Sequence, residues 1–286
     1  MSGPVAVLTD STASLPPEVA RRHGITVVPL QVVIGARSFD EGVPGGATPG
    51  TVADALAAWT PVSTSRPSPA TLRSAYERVA AGGASHVVSI HLSAEVSGTV
   101  ESARVAAREA PVPVTVVDSR QLGMATGFAV LAAADAVEGG ADAAEAARVA
   151  QDRATRTTSL FYVDTLEYLR RGGRIGPAAA LLGSALSVKP LLRIDDGTIA
   201  PLEKVRTASR ALSRLEELAV AAAGEVPVDV AVAHLANEQR AGVLAEHLAD
   251  RLGENLGGRE VVLGEVGAVI GAHVGPGMVA AVVAPR

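Results

Sequence analysis

The chain has 286 residues, enough for one large domain or two ordinary ones, and two is the expectation because single cores seldom outgrow roughly 250 to 300 residues. It is 48% hydrophobic but only 2% aromatic, so its core must be assembled from Ala, Val, Leu and Ile, which suits an α/β protein. A net charge of −5, the lack of any Lys/Arg run and the lack of cysteine exclude a nucleic-acid footprint, disulfides, thiolate metal sites and a cysteine nucleophile.

The opening, MSGPVAVLTDS, has neither a basic n-region nor a long apolar h-region, so no secretory signal is expected and the protein is placed in the cytoplasm. Residues 5–8 read as a strand, 9–14 as a cap-rich turn and 16–22 as a helix. A second strand is expected over 25–33 and helices over 51–59 and 70–80, the last two separated by the polar, proline-rich Ser63-Thr64-Ser65-Arg66-Pro67-Ser68-Pro69. His86–His91 reads as a strand, 97–109 as a helix, 114–117 as a strand, and 123–137 and 141–155 as two Ala-rich helices. Strands alternating with helices predict a parallel sheet with crossover connections, a Rossmann-like α/β/α domain over residues 1–155.

Beyond residue 156 the texture changes. A strand at 160–163 precedes a Gly-rich element around Gly172-Gly173, and the apolar runs 191–194 and 199–202 flank Asp195-Asp196-Gly197, a hairpin signal. Helix 207–223, strand 228–234, helix 238–252 and strand 260–265 follow, so residues 156–286 are expected to form a mixed-sheet α/β domain. Residues 267–284 carry no charge with His neutral and approach the length of a membrane span. Gly271, Gly275, Pro276 and Gly277 argue instead for a tight turn followed by a buried strand over 278–283.

Ligands of doubly wound sheets gather at the carboxyl ends of the strands. There the chain places mostly hydroxyls: Ser11 and Thr12 after Asp10; Ser63, Thr64 and Ser65; Ser93, Ser97 and Thr99; and Ser119 after Asp118. Hydroxyls and free N–H groups at helix starts suit an anionic head group, although each one alone reads first as a helix cap, as does Asp10. In Ser97-Gly98-Thr99, Gly98 would let the backbone approach a ligand. His23 and His247 fall on charged helices, and His86, His91 and His234 border strands, where a structural role comes first. His273 is set among small residues and has room to meet an anion. Arg170, Arg171 and Arg206 are either solvated ends of elements or cations for a phosphate or carboxylate. No P-loop, G-x-G-x-x-G, H-E-x-x-H or G-x-S-x-G pattern occurs, so no nucleotide, metal, cofactor or catalytic serine is expected.

Thr9-Asp10-Ser11-Thr12-Ala13-Ser14-Leu15-Pro16, Ser63-Thr64-Ser65-Arg66-Pro67-Ser68, residues 92–99, residues 168–175, Lys189-Pro190-Leu191-Leu192, Lys204-Val205-Arg206-Thr207 and His273-Val274-Gly275-Pro276-Gly277 together resemble the DegV family of acyl-binding proteins along nearly the whole chain. The resemblance implies a two-domain α/β fold and a non-catalytic role without a cofactor. A long-chain fatty acid such as palmitate, stearate or oleate would lie in an interior tunnel, its carboxylate held by Thr64 and Ser97, with Ser65, Ser93 and His273 close by and residues 176–188 forming part of the wall. It also implies presentation of the acid to an ATP-dependent fatty acid kinase, which makes an acyl phosphate for phospholipid synthesis. Arg206, Arg170 and Arg171 would meet that partner or its phosphate, and transient contact with a membrane surface would serve lipid exchange.

The chain departs from the family's common pattern at Arg66 (Gln in relatives), Ala94 (a second Ser) and Val100 (Tyr). Ala94 is expected to weaken carboxylate binding and Arg66 to compensate. Two other readings stand beside this one: a small-molecule hydrolase or phosphotransferase using Asp10, His273 and the hydroxyls, and an interaction module with lipid as a passive filler.

Overall fold

The computed structural model describes residues 3–181 and 189–286. Its first half runs β1 (Val5–Asp10), α1 (Pro17–Arg22), β2 (Thr26–Val28), β3 (Gln31–Ile34), β4 (Arg37–Asp40), α2 (Pro49–Ala57), β5 (Val62–Ser65), α3 (Pro69–Ala81), β6 (His86–His91), α4 (Thr99–Ala107), β7 (Val114–Asp118), α5 (Met124–Glu138) and α6 (Ala143–Arg156). The second half runs β8 (Thr158–Tyr162), α7 (Glu167–Arg171), β9 (Lys189–Asp195), β10 (Thr198–Val205), α8 (Ala208–Ala223), β11 (Val228–His234), α9 (Glu238–Arg251), α10 (Gly253–Leu256), β12 (Val262–Glu265), α11 (Ala268–Val274) and β13 (Val279–Pro285).

Four parallel strands form one sheet in the order β2-β1-β6-β7. A separate six-stranded mixed sheet has the order β10-β9-β8-β13-β11-β12, antiparallel except between β11 and β12. The fold is therefore the two-domain α/β architecture expected, with a parallel-sheet part and a mixed-sheet part. Between the two lies α5, which is apolar all round and buries both faces. Ala129, Val130 and Ala133 pack towards the parallel sheet, while Met124, Ala125 and Phe128 meet Ala231, Val282 and Ala284 of the mixed one. Buried Arg153 of α6 joins the same seam by hydrogen bonds to the Asp229 carboxylate and the Pro285 carbonyl.

Two expectations need correction. The strand expected over 25–33 is two strands, because Pro29 supplies no N–H for a ladder and the chain turns there; β3 leaves the parallel sheet and joins β4 and β5 in a three-stranded antiparallel sheet, order β4-β3-β5. The polar 63–65 segment is the edge strand β5 of that sheet, with Thr64 opposite Val32. The turn expected at Gly271 is instead inside the helix α11, and only Gly275 and Gly277 adopt positive φ, 75° and 90°. By contrast, the hairpin at Asp196-Gly197 forms with φ of 46° and 83°, the double positive φ of a type I′ turn.

Residues 176–181 form a 3₁₀ turn whose Ala178 and Leu181 enter a core with Leu169, Ile199 and Val274; the rest of the expected wall, 182–188, lies outside the described residues. Among the described residues no helix is long and apolar enough to cross a membrane.

Candidate functional site

A cavity of about 340 Å³ opens where the parallel sheet, the three-stranded sheet and α11 meet. Its polar wall is Thr12 after β1, Thr64, Ser65 and Arg66 at the end of β5, and Ser97 and Gly98 at the start of α4. Arg174 and His273 complete it, and the apolar part of the lining includes Leu30, Leu92, Leu169, Ile199, Val269 and Val274. Each polar group is set by local chain chemistry. β5 ends at Ser65 because Pro67 and Pro69 follow, and Ser68 caps α3 by accepting from Thr71 N at 3.1 Å. After β6 the Ser93 carbonyl accepts from the N–H groups of Val96 and Ser97, turning the chain so that Ser97 directly precedes Gly98, the N-cap of α4. The Ser97 and Thr99 hydroxyls lie 2.9 Å apart at that helix start, where the dipole favours an anion.

His273 comes from the last turn of α11, which shares a core with Val32 of β3 and Val52 of α2. That packing brings its Nε2 to 2.8 Å from Thr64 Oγ1, across 209 residues of sequence. Burial first, and the Arg174 guanidinium second, push the ring down to a pKa of about 4, so it is neutral at pH 7. Nδ1 is buried with no partner among the described residues. The tautomer that strands no N–H carries its proton on Nε2 and donates to Thr64. The Thr64 hydroxyl then has its own hydrogen free to donate to an anion in the cavity. Gly172 makes this possible, since a Cβ there would lie 2.1 Å from Nδ1. Arg174 is held by the carbonyls of Val96 (3.1 Å) and Gly172 (2.7 Å).

Of the head-group residues expected from the sequence, Thr64, Ser65, Ser97 and His273 share this cavity, and so does the candidate hydroxyl of Thr12. Ser93 does not line it: its hydroxyl donates to the Gly197 carbonyl at 2.7 Å and ties the β9–β10 turn to the loop after β6. Ala94 is exposed and outside the lining, so the hydroxyl it lacks is not one of the cavity's. Arg66 does line it, its guanidinium lying so close to Gly98 that a Cβ there would be 1.7 Å from Nη1; the space Gly98 opens is filled by Arg66. Arg206 is exposed and outside the lining. Arg170 and Arg171 both bond Glu167, and their hydrogen bonds hold its carboxyl well below the usual range; Arg171 also lies 5.1 Å over the exposed Trp59 ring.

Sequence reasoning missed Arg174 as part of the wall and Gly172 as the space behind the His273 ring. It also missed a buried array in which His91 Nδ1 lies 2.8 Å from Asp10, His91 Nε2 2.8 Å from Ser89 Oγ, and Ser89 Oγ 3.0 Å from the Tyr76 hydroxyl. The spacing is that of a hydrolytic relay, but Asp10, His91, Ser89 and Tyr76 are all 0% exposed and none lines the cavity. Asp10 is the N-cap of the 3₁₀ turn Ser11–Ala13 and accepts from Thr12 N and Leu92 N. Among the described residues one group, His23, Asp135 and Glu138, has metal-ligand spacing; it sits at the surface, with His23 Nδ1 3.4 Å from the Asp135 carboxylate.

Together these features define a two-domain α/β protein built around an apolar cavity with a hydroxyl-rich, imidazole-backed mouth. The family model described as "Uncharacterised protein, DegV family" matches residues 4–286, and the chain belongs to the DegV family. It is 55% identical over 286 residues to a DegV domain-containing protein of Streptomyces coelicolor, with 100% of each chain covered. It is similar in structure to a DegV family protein from Thermus thermophilus, described by its fatty acid binding, at 31% identity and a TM-score of 0.90, covering 99% of this chain and 100% of that one. DegV from Bacillus subtilis, described as a fatty acid binding protein, aligns at 32% identity and a TM-score of 0.90 over 100% of both chains.

Proposed function

We propose that this protein binds a long-chain fatty acid, with the carboxylate at Thr64, Ser97 and Ser65 and the chain running into the apolar part of the cavity past Leu169 and Ile199. The observation that carries the reading is the Thr64–His273 pair at the mouth of an apolar cavity. Neutral His273 turns the Thr64 hydrogen outward, and Ser97 adds a second hydroxyl at a helix start. Burying about 14 methylenes at about 0.8 kcal/mol each offers on the order of 11 kcal/mol before association costs, so the acyl chain supplies affinity and the mouth supplies orientation. The fatty acid binding described for the two solved relatives supports the same reading. A hydrolase pairing Asp10 with His273 is disfavoured because the Asp10 carboxylate is enclosed and already bonded by Thr12, His91 and Leu92.

The same reading has the protein in the cytoplasm presenting its carboxylate to an ATP-dependent kinase, which would transfer a phosphoryl group to a carboxylate oxygen and release ADP. Transient contact with a membrane surface would reload the cavity. The partner would reach the exposed Ser65 and Arg66 first, with Arg170, Arg171 and Arg206 as its candidate contacts. Phosphorylation of the bound acid on mixing loaded protein with ATP and a host lysate is the expected result; a lysate that phosphorylates free acid equally well without the protein removes the presenting role.

Native mass spectrometry followed by denaturing extraction tests the acyl reading, with one fatty acid per chain expected. Thr64→Val with Ser97→Ala should weaken binding about 100-fold, since each hydrogen bond to a charged group is worth about 1.5 kcal/mol or more. Unchanged affinity in that variant would misplace the head group, and a protein that neither carries nor takes up fatty acid would end the acyl reading. Arg66→Gln should cost about threefold to tenfold in acyl affinity and Ala94→Ser nothing, because only the first side chain lines the cavity. Titration of both variants with a fluorescent fatty acid checks this, and equal effects would remove the role assigned to Arg66.

A further inference from the structure

A second groove, of about 500 Å³, lies where the turn after β1, the β4–α2 loop and β12 meet. Two sheet edges face it. β12 is the outer strand of the six-stranded sheet, bonded only to β11, and three of its four residues are exposed. β2 is the outer strand of the parallel sheet. Edge strands are normally blunted by lysine, proline or a covering element, because their free N–H and C=O groups pair readily with another chain. β12, with the sequence Val-Leu-Gly-Glu, has neither lysine nor proline. Val27, Val43 and Leu263 rim the groove at 40%, 42% and 44% exposure, so apolar side chains from three elements surround one opening.

The charge of the lining is one-sided. Glu41 and Glu265 are its only charged residues, and it contains no Lys, Arg or His. Glu41 is 5% exposed; its Oε1 accepts from Val269 N at 2.8 Å, and its Oε2 makes no hydrogen bond among the described residues. Burial is the main reason its carboxyl is pushed up, against the opposing effects of Ser11 and the Val269 N–H. A cation entering the groove would give Oε2 a partner and favour its charged form. The β12 strand of a second copy, Val-Leu-Gly-Glu, brings no such cation: pairing the two edges would add another Glu265 to the groove and no basic side chain.

We propose that this groove docks an extended segment of a partner protein, which adds as a strand to the free edge of β12 and sets a lysine or arginine against Glu41 and Glu265. Main-chain bonds give such an interface its affinity, and alternate side chains give it specificity. The segment would lie beside the first turn of α11, which Glu41 bonds and whose last turn carries His273. The inference does not depend on what occupies the cavity at His273.

The test uses the full-length protein and two labelled, capped pentapeptides, Val-Lys-Val-Lys-Val and Val-Glu-Val-Glu-Val, followed by anisotropy and by amide hydrogen exchange. The lysine peptide should bind at least about tenfold tighter than the glutamate one, lose that preference as salt rises, and slow exchange across residues 262–265. Glu265→Lys, a change at a half-exposed side chain that leaves Glu41 and the core untouched, should reverse the preference. Equal binding of the two peptides, no binding of either at about 1 mM, or protection elsewhere than β12 would overturn the proposal. Concentration-dependent dimerisation abolished by Leu263→Asp would also overturn it, by assigning the groove to a second copy.

Discussion

Gly172→Ala should destabilise the protein by about 2 to 4 kcal/mol and weaken acyl binding together, although the new side chain is a single methyl. Gly172 has φ −73° and ψ −9°, which any residue adopts, so backbone strain is not the cause. The cost is steric. The new Cβ would stand 2.1 Å from His273 Nδ1 and 2.9 Å from Cε1, and the ring cannot retreat without giving up its 2.8 Å contact with Thr64. Overpacking of this kind typically costs about 1 to 3 kcal/mol, and the lost hydrogen bond about 1 more. In a His273→Ala background the same substitution should cost less than about 0.5 kcal/mol, because the clashing atoms are gone. Urea denaturation of the four proteins of that cycle is the measurement. Additive costs would mean that Gly172 matters for some reason other than the imidazole.

That glycine also marks the limit of what the sequence discloses. The parallel strands, the long helices and the Asp196-Gly197 hairpin are legible because period, caps and turn residues act over a few positions. β5 is not, since Val-Ser-Thr-Ser has no apolar alternation; it becomes a strand by pairing with β3, 30 or so residues earlier. α11 is obscured by Gly271 within it, which lowers helix propensity by roughly 1 kcal/mol, and by the glycines at both of its caps. Gly271 is there for packing, because a Cβ would press within 3.2 Å of Leu235. The motif at its end reads as a turn, and the structure gives each glycine a neighbour: a Cβ at Gly275 would strike the Tyr168 ring and one at Gly277 the Asp164 carboxylate, which is itself paired with Lys189 at 3.0 Å. Segments that look like separate sequence motifs are thus one interlocked layer behind the cavity.

The site was legible by residue type more than by role. A row of hydroxyls after strands marks the region, yet nothing local says that Ser97 faces the cavity while Ser93, four positions earlier, spends its hydrogen on Gly197. The direction of each hydroxyl is set by the turn between them and by the mixed sheet that comes up against it, which are tertiary facts. The same holds for Arg66, whose cation reads as a departure near the mouth but whose fit against Gly98 depends on how β5 approaches α4.

Acid should unmask His273. Its pKa is pushed from 6.5 to about 4, chiefly by burial and then by Arg174, so the folded state favours the neutral ring while the unfolded chain takes up a proton near pH 6.5. The stability this group contributes is therefore fully present above pH 6.5 and is lost as pH falls through 4, the folded state binding fewer protons across that window. At about 1.4 kcal/mol per unit the loss is on the order of 3 kcal/mol. Carboxylates also titrate as pH falls, so the quantity to follow is the difference in unfolding free energy between the wild type and His273→Gln, which should be flat above pH 7 and change in the mutant's favour between 6.5 and 4. Loading with fatty acid should flatten that change, because a carboxylate beside the Thr64–His273 pair favours the charged ring and raises its pKa. Parallel pH profiles for the two ligand-free proteins would show that the ring is not held neutral by its burial. A change that persists undiminished on loading would place the carboxylate away from His273.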